Sequence, residues 1–383
     1  MRSRATSTAG SLENGFARVR CRSCPEEFLV AFSCKRRGLC PSCGAKRAAE
    51  LAAFLQDEVV EEVGHAQWVF TVPKMLRVYF LHHRELLGAL SLAAYQTVKE
   101  LMAAAVEEKG FRPGMGSVVR TFGARANFHP HVHALVSRGG WSASGEWIPV
   151  PYVDERAAEK LFRHKVLALL RRRGLLTEER IELLLSWRRS GFSVHNRVYV
   201  PAGDGQGLEA LVRYMMRSPV SLSRLRFTPG SPEVVYLHKG GHDELEPTEG
   251  ERVDAMEFVA RVLAQIPDGR RHLARYYGFY SNAARGKRKK AAAPEPSCPA
   301  EAPQGATTPD GTERTALRRR WAEMIRRVYE VDPLVCPRCG GEMRVVGFIT
   351  QPAVIKRILD HLRKREKVAR PPPHAPQPVA SPA

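Results

Sequence analysis

Residues 127–137, Asn127-Phe128-His129-Pro130-His131-Val132-His133-Ala134-Leu135-Val136-Ser137, decide how the chain is read. His131–Ser137 has the composition of a β-strand, entered through a loop around Asn127–Pro130. Side chains alternate along a strand, so His131 and His133 share a face while Val132 turns into the core. Two imidazoles placed this way can share one cation. With two or three protein ligands and open positions, such a site suits Mg²⁺ or Mn²⁺ acting on a phosphate oxygen as a Lewis acid. His129 or Gln67 could complete it. A histidine pair on a strand is by itself more often a stacked surface pair, so the rest of the chain must supply the context.

Outward from this strand, helical and extended patterns alternate. Upstream, Ser117–Gly123 reads as a second strand, set off by the break at Gly114–Gly116 from one long or two shorter helices over Met75–Glu108. Before them Gln67–Val72 is an apolar run closed by Pro73, and Ala45–Val63 has helical period. Downstream come helices at Glu155–Arg173 and Glu178–Arg188, an extended run at Ser193–Val200, and a helix at Leu208–Arg217 that Pro219 stops. Leu225–Thr228 and Val234–His238 look like a hairpin, and Val253–Gln265 like a further helix. Strands and helices mix throughout, which defines an α+β class.

The helix at Leu208–Arg217 carries Leu211-Val212-Arg213-Tyr214-Met215-Met216-Arg217-Ser218-Pro219. Tyr214 sits between two arginines. A phenolate is a competent leaving group, so a phosphotyrosine bond conserves the energy of a cleaved phosphodiester and can be resealed by a hydroxyl without ATP. Arg217, three residues on, shares the helical face and could hold the phosphate, with Arg213 beside it. Tyr276, Tyr277 and Tyr280 are rival nucleophiles.

Four of the eight cysteines form two close pairs within residues 21–43, a stretch that also holds Cys34. Cys21-Arg-Ser-Cys24 and Cys40-Pro-Ser-Cys43 are two Cys-x-x-Cys pairs at the spacing where two knuckles close tetrahedrally on one structural Zn²⁺. Four thiolates leave no open catalytic position, and the metal replaces a core that so short a segment cannot build. Arg18, Arg20, Arg22, Lys35, Arg36 and Arg37 surround these ligands and suit phosphate contact. Cys34 is left over as a thiol. Cys336-Pro-Arg-Cys339, followed by Gly340-Gly341, looks like half a knuckle whose further ligands would come from elsewhere, such as His361 or a second chain.

Sixty Lys and Arg against forty Asp and Glu leave a formal charge of +20 on 383 residues. A polyanion, nucleic acid first, is the partner that this charge favours over an acidic or neutral one. Residues 1–20 lack the apolar core of a signal peptide, and no stretch has the ~18 uncharged apolar residues of a membrane span. A cytoplasmic location and no membrane partner are therefore expected, and in that compartment cysteines are metal ligands or free thiols rather than disulfides. The division expected is a zinc-binding module at 1–50, a main domain at 51–283, and a disordered linker at 284–312 opening with the basic run Arg285–Lys290. A small C-terminal region at 313–366 follows, with a basic helix at Arg314–Tyr329, a strand near Arg344–Ile349 and a helix near Ala353–Arg363. A disordered Pro-Ala tail at 367–383 ends the chain.

Taken in order, the Cys-x-x-Cys pairs, Phe32-Ser-Cys-Lys-Arg-Arg-Gly-Leu-Cys-Pro-Ser-Cys-Gly-Ala-Lys-Arg47, Trp68-Val-Phe-Thr-Val-Pro73, His129-Pro-His-Val-His-Ala-Leu-Val136 and Arg213-Tyr-Met-Met-Arg-Ser-Pro219 resemble the rolling-circle transposases of the IS-ninety-one type. Arg275-Tyr-Tyr-Gly-Phe-Tyr-Ser-Asn282 and Val331-Asp-Pro-Leu-Val-Cys-Pro-Arg-Cys-Gly-Gly-Glu-Met343 also look like that family's later segments. The resemblance implies a His-hydrophobic-His nuclease domain, an antiparallel sheet with flanking helices, in which His131 and His133 bind the divalent metal and Tyr214 attacks. It further implies a 5′-phosphotyrosine on single-stranded DNA at element ends, then strand transfer to target DNA, with a homodimer allowed. Some members use two tyrosines four residues apart. Here that position is Ala210, which places the chain with the single-tyrosine branch. Members usually carry more helical sequence before the first cysteine pair than Met1–Asn14 supplies. A non-catalytic zinc protein that binds DNA, as a decayed copy or accessory factor would, also explains the charge and the thiols. A zinc hydrolase built on His131 and His133 lacks an acid-base glutamate motif nearby.

Overall fold

The computed structural model describes residues 12–32, 41–150, 152–221, 224–228, 230–237, 250–268, 272–292 and 335–364. The expectations for Cys34, Lys35, Arg36, Arg37, Cys40, the Cys43 side chain, the helix at Arg314–Tyr329 and the tail lie outside the described residues, as does the linker beyond Ala292. The chain divides into two units. One comprises residues 51–219 and 254–297, the other residues 1–50, 220–253 and 298–383.

The larger unit is built on an antiparallel sheet of β3 (His65–Thr71), β4 (Arg112–Phe122), β5 (Phe128–Trp141), β7 (Ser193–Val200) and β11 (Ala274–Gly278), in the order β11-β4-β5-β3-β7. A short β6 (Trp147–Pro149) pairs with the end of β5. Strand alternation sorts the side chains onto two faces. On one face Trp68 and Phe70 of β3, Met115 and Val119 of β4, and Val132, Ala134 and Val136 of β5 pack in a single apolar core. That core is roofed by α3 (Leu86–Val106), α4 (Glu155–Arg172) and α5 (Glu178–Ser186). Leu86, Leu90, Ala93, Ala94, Val98 and Met102 recur at helical spacing along α3, which is why it lies flat on the sheet. Asp154 caps α4 by accepting from the Arg156 and Ala157 backbone N–H groups, and Thr177 caps α5.

The opposite face meets the C-terminal half of α1 (Pro41–Glu58) and α6 (Gly205–Met215), through Ala52 and Leu55 of the first and Leu208, Leu211, Val212 and Met215 of the second. Asp204 caps α6 from outside, its carboxylate accepting from Gly207 N–H at 2.8 Å. Leu135 of β5 and Val118 of β4 belong to this second core. By alternation, the odd-numbered His131 and His133 therefore look toward α6 rather than toward α3.

Several elements differ from the expectations. Gly114–Gly116 does not break a helix but lies inside β4, because α3 has already ended at Glu107, whose φ is +54°. A Cβ at Gly114 would stand 2.6 Å from the Tyr280 ring, so the glycine lets that aromatic close over the strand. Strand β11 was not expected. Its residues are all half-buried, so it shows no alternation to read. The basic run placed in a linker forms most of α8 (Asn282–Ala292). Alanine, lysine and arginine are strong helix formers, and the cations find partners: Arg288 stacks 3.7 Å above the Phe279 ring and donates to the Phe279 carbonyl, and Lys289 pairs with Glu58.

In the second unit, β1 (Phe16–Cys21) is the middle strand of a three-stranded sheet, between β2 (Glu27–Ala31) and β12 (Met343–Ile349), antiparallel to both. Cys21 lies opposite Met343, and Phe16 opposite Ile349. The C-terminal strand, which the sequence keeps in a region of its own, thus joins the first strand of the chain. A helix α9 (Pro352–Lys364) follows it. The same unit holds β8 (Leu225–Phe227), β9 (Glu233–Leu237) and β10 (Gly250–Asp254), ordered β10-β9-β8, with β8 and β9 forming the expected hairpin. In the larger unit, the helix expected at Val253–Gln265 is α7 (Ala255–Leu263), capped by Asp254.

Candidate active site and metal centre

On the α6 face, three neighbouring strands bring together Gln67, Arg120, His131 and His133. His133 pairs across the ladder with Val69 on one side and Val118 on the other, which leaves Gln67 and Arg120 as its diagonal neighbours. Arg120 donates from Nη1 to His133 Nε2 at 3.0 Å, and the other ring nitrogen, Nδ1, lies 2.9 Å from Gln67 Nε2, so a protonated Nδ1 has a partner only with the Gln67 amide turned to present its oxygen. His131 donates from Nδ1 to the carbonyl of His129 at 2.7 Å, which leaves Nε2 as its lone-pair nitrogen. Ring centroids of His129 and His131 are 5.1 Å apart, and those of His131 and His133 are 4.9 Å apart.

Tyr214 reaches this group from the last turn of α6. Its ring stands edge-on to His133, with centroids 5.5 Å apart and planes at 88°. The Arg217 guanidinium lies 5.0 Å from the Tyr214 ring centre and that of Arg120 5.6 Å. Tyr214 is 42% exposed, unlike its rivals. Tyr280 is fully buried, with its hydroxyl 2.7 Å from His65 Nε2. Tyr277 donates to Ser91, and half-buried Tyr276 sits edge-on to Phe54. Among the described residues, no hydrogen bond or ring contact joins these three to His131 or His133. Arg213 is engaged by Glu209 at 2.8 Å, one turn back on α6.

The electrostatics follow from burial. Burial is the largest cause in each case of histidine pKa values lowered to about 4 for His129, helped by Arg77 and Arg120, to about 3 for His131, against the upward pull of the His129 carbonyl, and to about 2 for His133, helped by His131, Arg120 and Arg217. All three rings are neutral at physiological pH, the state in which imidazole offers a lone pair. Arg120 is only 3% exposed, and among the described residues its Nε has no hydrogen-bond partner and no carboxylate contributes to its environment. Burial and then Arg217 pull its pKa down to about 10, so it keeps its charge at neutral pH. Sequence reasoning missed Arg120, since an arginine within a strand reads as an outward-facing charge. Its offset of one strand residue from Val119 was the available signal.

His131 and His133 suit a divalent ion by donor type and protonation. Two constraints accompany that fit. His133 Nε2 can serve Arg120 or a metal but not both, and no third His, Cys, Asp or Glu joins the pair among the described residues. Gln67 touches His133 through Nδ1, and the His129 ring stacks beside His131.

The cysteines give a tighter cluster. Among the described residues, Cys21, Cys24, Cys336 and Cys339 place their sulfurs all within 4.8 Å of one another. Cys21 Sγ is 3.6 Å from Cys339 Sγ, and Cys24 Sγ is 3.6 Å from Cys336 Sγ. Tetrahedral zinc with Zn–S bonds of about 2.3 Å requires sulfur separations of about 3.8 Å, so the four thiols fit that ion. The partners that the structure gives to the first pair are thus Cys336 and Cys339, while Cys40 and the Cys43 side chain lie outside the described residues. Of the nearby arginines, Arg18 is bound by Glu27 at 2.8 Å and Arg22 by Glu342 at 3.1 Å, and Arg20 is exposed.

Comparison with known proteins gives this arrangement a class. Residues 2–72 match the family described as "Transposase zinc-binding domain", and residues 114–289 match that described as "Putative transposase". The second segment contains both histidines and Tyr214. The chain therefore belongs to the zinc-binding transposases of the IS-ninety-one type. It is 26% identical over 348 residues to the "Transposase for insertion sequence element IS801" of Pseudomonas savastanoi pv. phaseolicola, covering 86% of this chain and 78% of the relative. It is 27% identical over 282 residues to the "Putative transposase y4qJ" of Sinorhizobium fredii (strain NBRC 101917 / NGR234), covering 68% and 69%. No solved structure matches the chain. Among the described residues no helix is long and apolar enough to cross a membrane.

Proposed function

We propose that the chain cuts and rejoins single-stranded DNA at the ends of an insertion element through a covalent 5′-phosphotyrosine on Tyr214. The observation that carries this reading is the position of Tyr214: solvent-accessible, edge-on to His133, and flanked by Arg120 and Arg217. The phenol oxygen attacks the scissile phosphorus, a P–Oη bond forms, the P–O3′ bond breaks, and the departing 3′-oxygen takes up a proton. A second 3′-hydroxyl reverses these bond changes and frees the enzyme at the target. Arg217 and Arg120 place two positive charges beside the reacting phosphate, where pre-positioned cations stabilise the charge that builds up in the transition state. A bound Mg²⁺ or Mn²⁺ would supply Lewis-acid polarisation of a phosphate oxygen, with His131 and His133 as its protein ligands. Arg213, Lys35, Arg36 and Arg37 complete the DNA-contacting set in this reading, although Arg213 would first have to leave Glu209.

Incubation of the protein with labelled single-stranded element ends and Mg²⁺, followed by denaturing electrophoresis and peptide mapping, tests the proposal. A protein–DNA adduct carried on the peptide containing Tyr214 is expected. DNA binding with no adduct would leave the non-catalytic zinc protein as the correct reading. An adduct on Tyr276 or Tyr277 would move the nucleophile.

A further inference from the structure

We propose that the structural zinc clasps the two ends of the chain, with Cys21 and Cys24 supplying half of its ligands and Cys336 and Cys339 the other half. The segment that matches the zinc-binding family ends at residue 72 and contains three other cysteines, Cys34, Cys40 and Cys43, so two of the proposed ligands lie far outside it. They are 312 and 318 residues away in sequence from the cysteines they face.

Three independent features converge on this ligand set. The first is the fit of the four sulfurs to a tetrahedron, already described. The second is strand register: β1 ends at Cys21 opposite Met343, where β12 begins, so the two Cys-x-x-Cys turns leave the same end of one sheet. The third is the turn geometry of the distal pair. Cys336 donates its N–H to the Gly341 carbonyl and Gly340 donates to the Cys336 carbonyl, at 2.8 and 2.9 Å, which folds the 336–339 sulfurs to one side. Gly340 adopts φ +70°, and a Cβ on Gly341 would come within 2.7 Å of Ser23 Oγ and 3.2 Å of Cys339 Sγ. The paired glycines thus let one knuckle sit directly against the other. On the first knuckle, Ser23 N–H points at Cys21 Sγ at 3.3 Å, the kind of donor that stabilises a thiolate.

An all-sulfur tetrahedron is coordinatively closed, so this ion holds structure and leaves no position for a substrate. It also fixes where metal-binding energy goes. Val19, Cys21, Cys336, Met343 and Val345 make only a small apolar cluster, so the ion would reinforce the backbone ladder that joins β1 to β12. Cys40 and Cys43 take no part in this site, because its four positions are filled.

Thiol alkylation of the full-length, zinc-loaded protein, read residue by residue by mass spectrometry, tests the clasp. Cys21, Cys24, Cys336 and Cys339 are expected to be protected together and to become reactive together when a zinc chelator is added. Alkylation of Cys336 and Cys339 in the zinc-loaded protein at their rate in denatured chain would overturn the proposal. Two variants sharpen the result. In Cys336→Ser/Cys339→Ser, Cys21 and Cys24 should lose protection, whereas in Cys40→Ser/Cys43→Ser they should keep it. The reverse pattern would return the site to Cys21, Cys24, Cys40 and Cys43. None of these readouts depends on the transposase being active, so the outcome is separate from the fate of the tyrosine mechanism.

Discussion

The ring of Tyr214 stands perpendicular to the imidazole of His133, with 5.5 Å between their centres, although one residue is on the last turn of a helix and the other is in the middle strand of a sheet. What joins them is the apolar seam of α6. Leu208, Leu211, Val212 and Met215 seat the helix on the sheet face that carries the histidines, and Tyr214 rides at its edge.

Because Tyr214 is 42% exposed and sits at the edge of the α6 seam, removing its hydroxyl should leave the fold intact. Tyr214→Phe is expected to lose covalent adduct formation entirely while shifting stability by no more than about 0.5 kcal/mol. Urea denaturation alongside the cleavage assay checks both halves. Residual adduct in the variant would show that another residue attacks.

Among the described residues no carboxylate pairs with Arg120, so replacing it need not strand a buried anion. Arg120→Met should therefore fold, while strand cleavage falls by about 100-fold, as for the loss of one charge-stabilising donor at a reacting centre. Single-turnover rates at saturating DNA measure the effect. A normal rate would confine Arg120 to a packing role.

Metal dependence should separate into two kinds. A mild chelator that removes Mg²⁺ is expected to stop cleavage and leave DNA binding and circular dichroism unchanged, and Mn²⁺ should restore activity. His131→Gln should raise the Mn²⁺ concentration needed for half-maximal cleavage. If cleavage proceeds unchanged in the chelator, the imidazoles are not catalytic ligands.

His65 gives a pH signature. Its Nε2 faces the Tyr280 hydroxyl, and burial lowers its pKa from 6.5 to about 4. Above about pH 6.5 both folded and unfolded chains keep it neutral, and its contribution is complete. Between about pH 6.5 and 4 only the unfolded chain binds the proton, so stability declines by at most roughly 3 kcal/mol, and below about pH 4 the loss stops. Denaturation midpoints across this range, compared with those of His65→Gln, should show a flatter profile in the variant. Parallel profiles would assign the acid sensitivity to other groups.

Much of this architecture was legible because the residues concerned carry strong local signals. The alternation of β5, the Pro219 stop after α6 and the capped helices α4 and α5 are all written within short windows. What was not legible depends on distant partners. The half-buried Ala274–Gly278 has no periodicity, so Tyr276 and Tyr277 read as candidate nucleophiles rather than as an edge strand. The basic run at Arg285–Lys290 read as linker because its partners Glu58 and Glu61 lie more than 200 residues earlier. The meeting of Cys21 with Cys339 is a matter of sheet register, which no spacing rule encodes.

The edge strand β11 also sets an order on how the protein is made. It is the outer neighbour of β4, yet it comes some 150 residues later, at Ala274–Gly278. A nascent chain can assemble the histidine-bearing strands long before that neighbour emerges from the ribosome. During this interval β4 presents a bare row of amide and carbonyl groups, the kind of edge to which other chains adhere. Products cut short between residues 214 and 274 keep both histidines and the tyrosine, and aggregation is the fate expected for them.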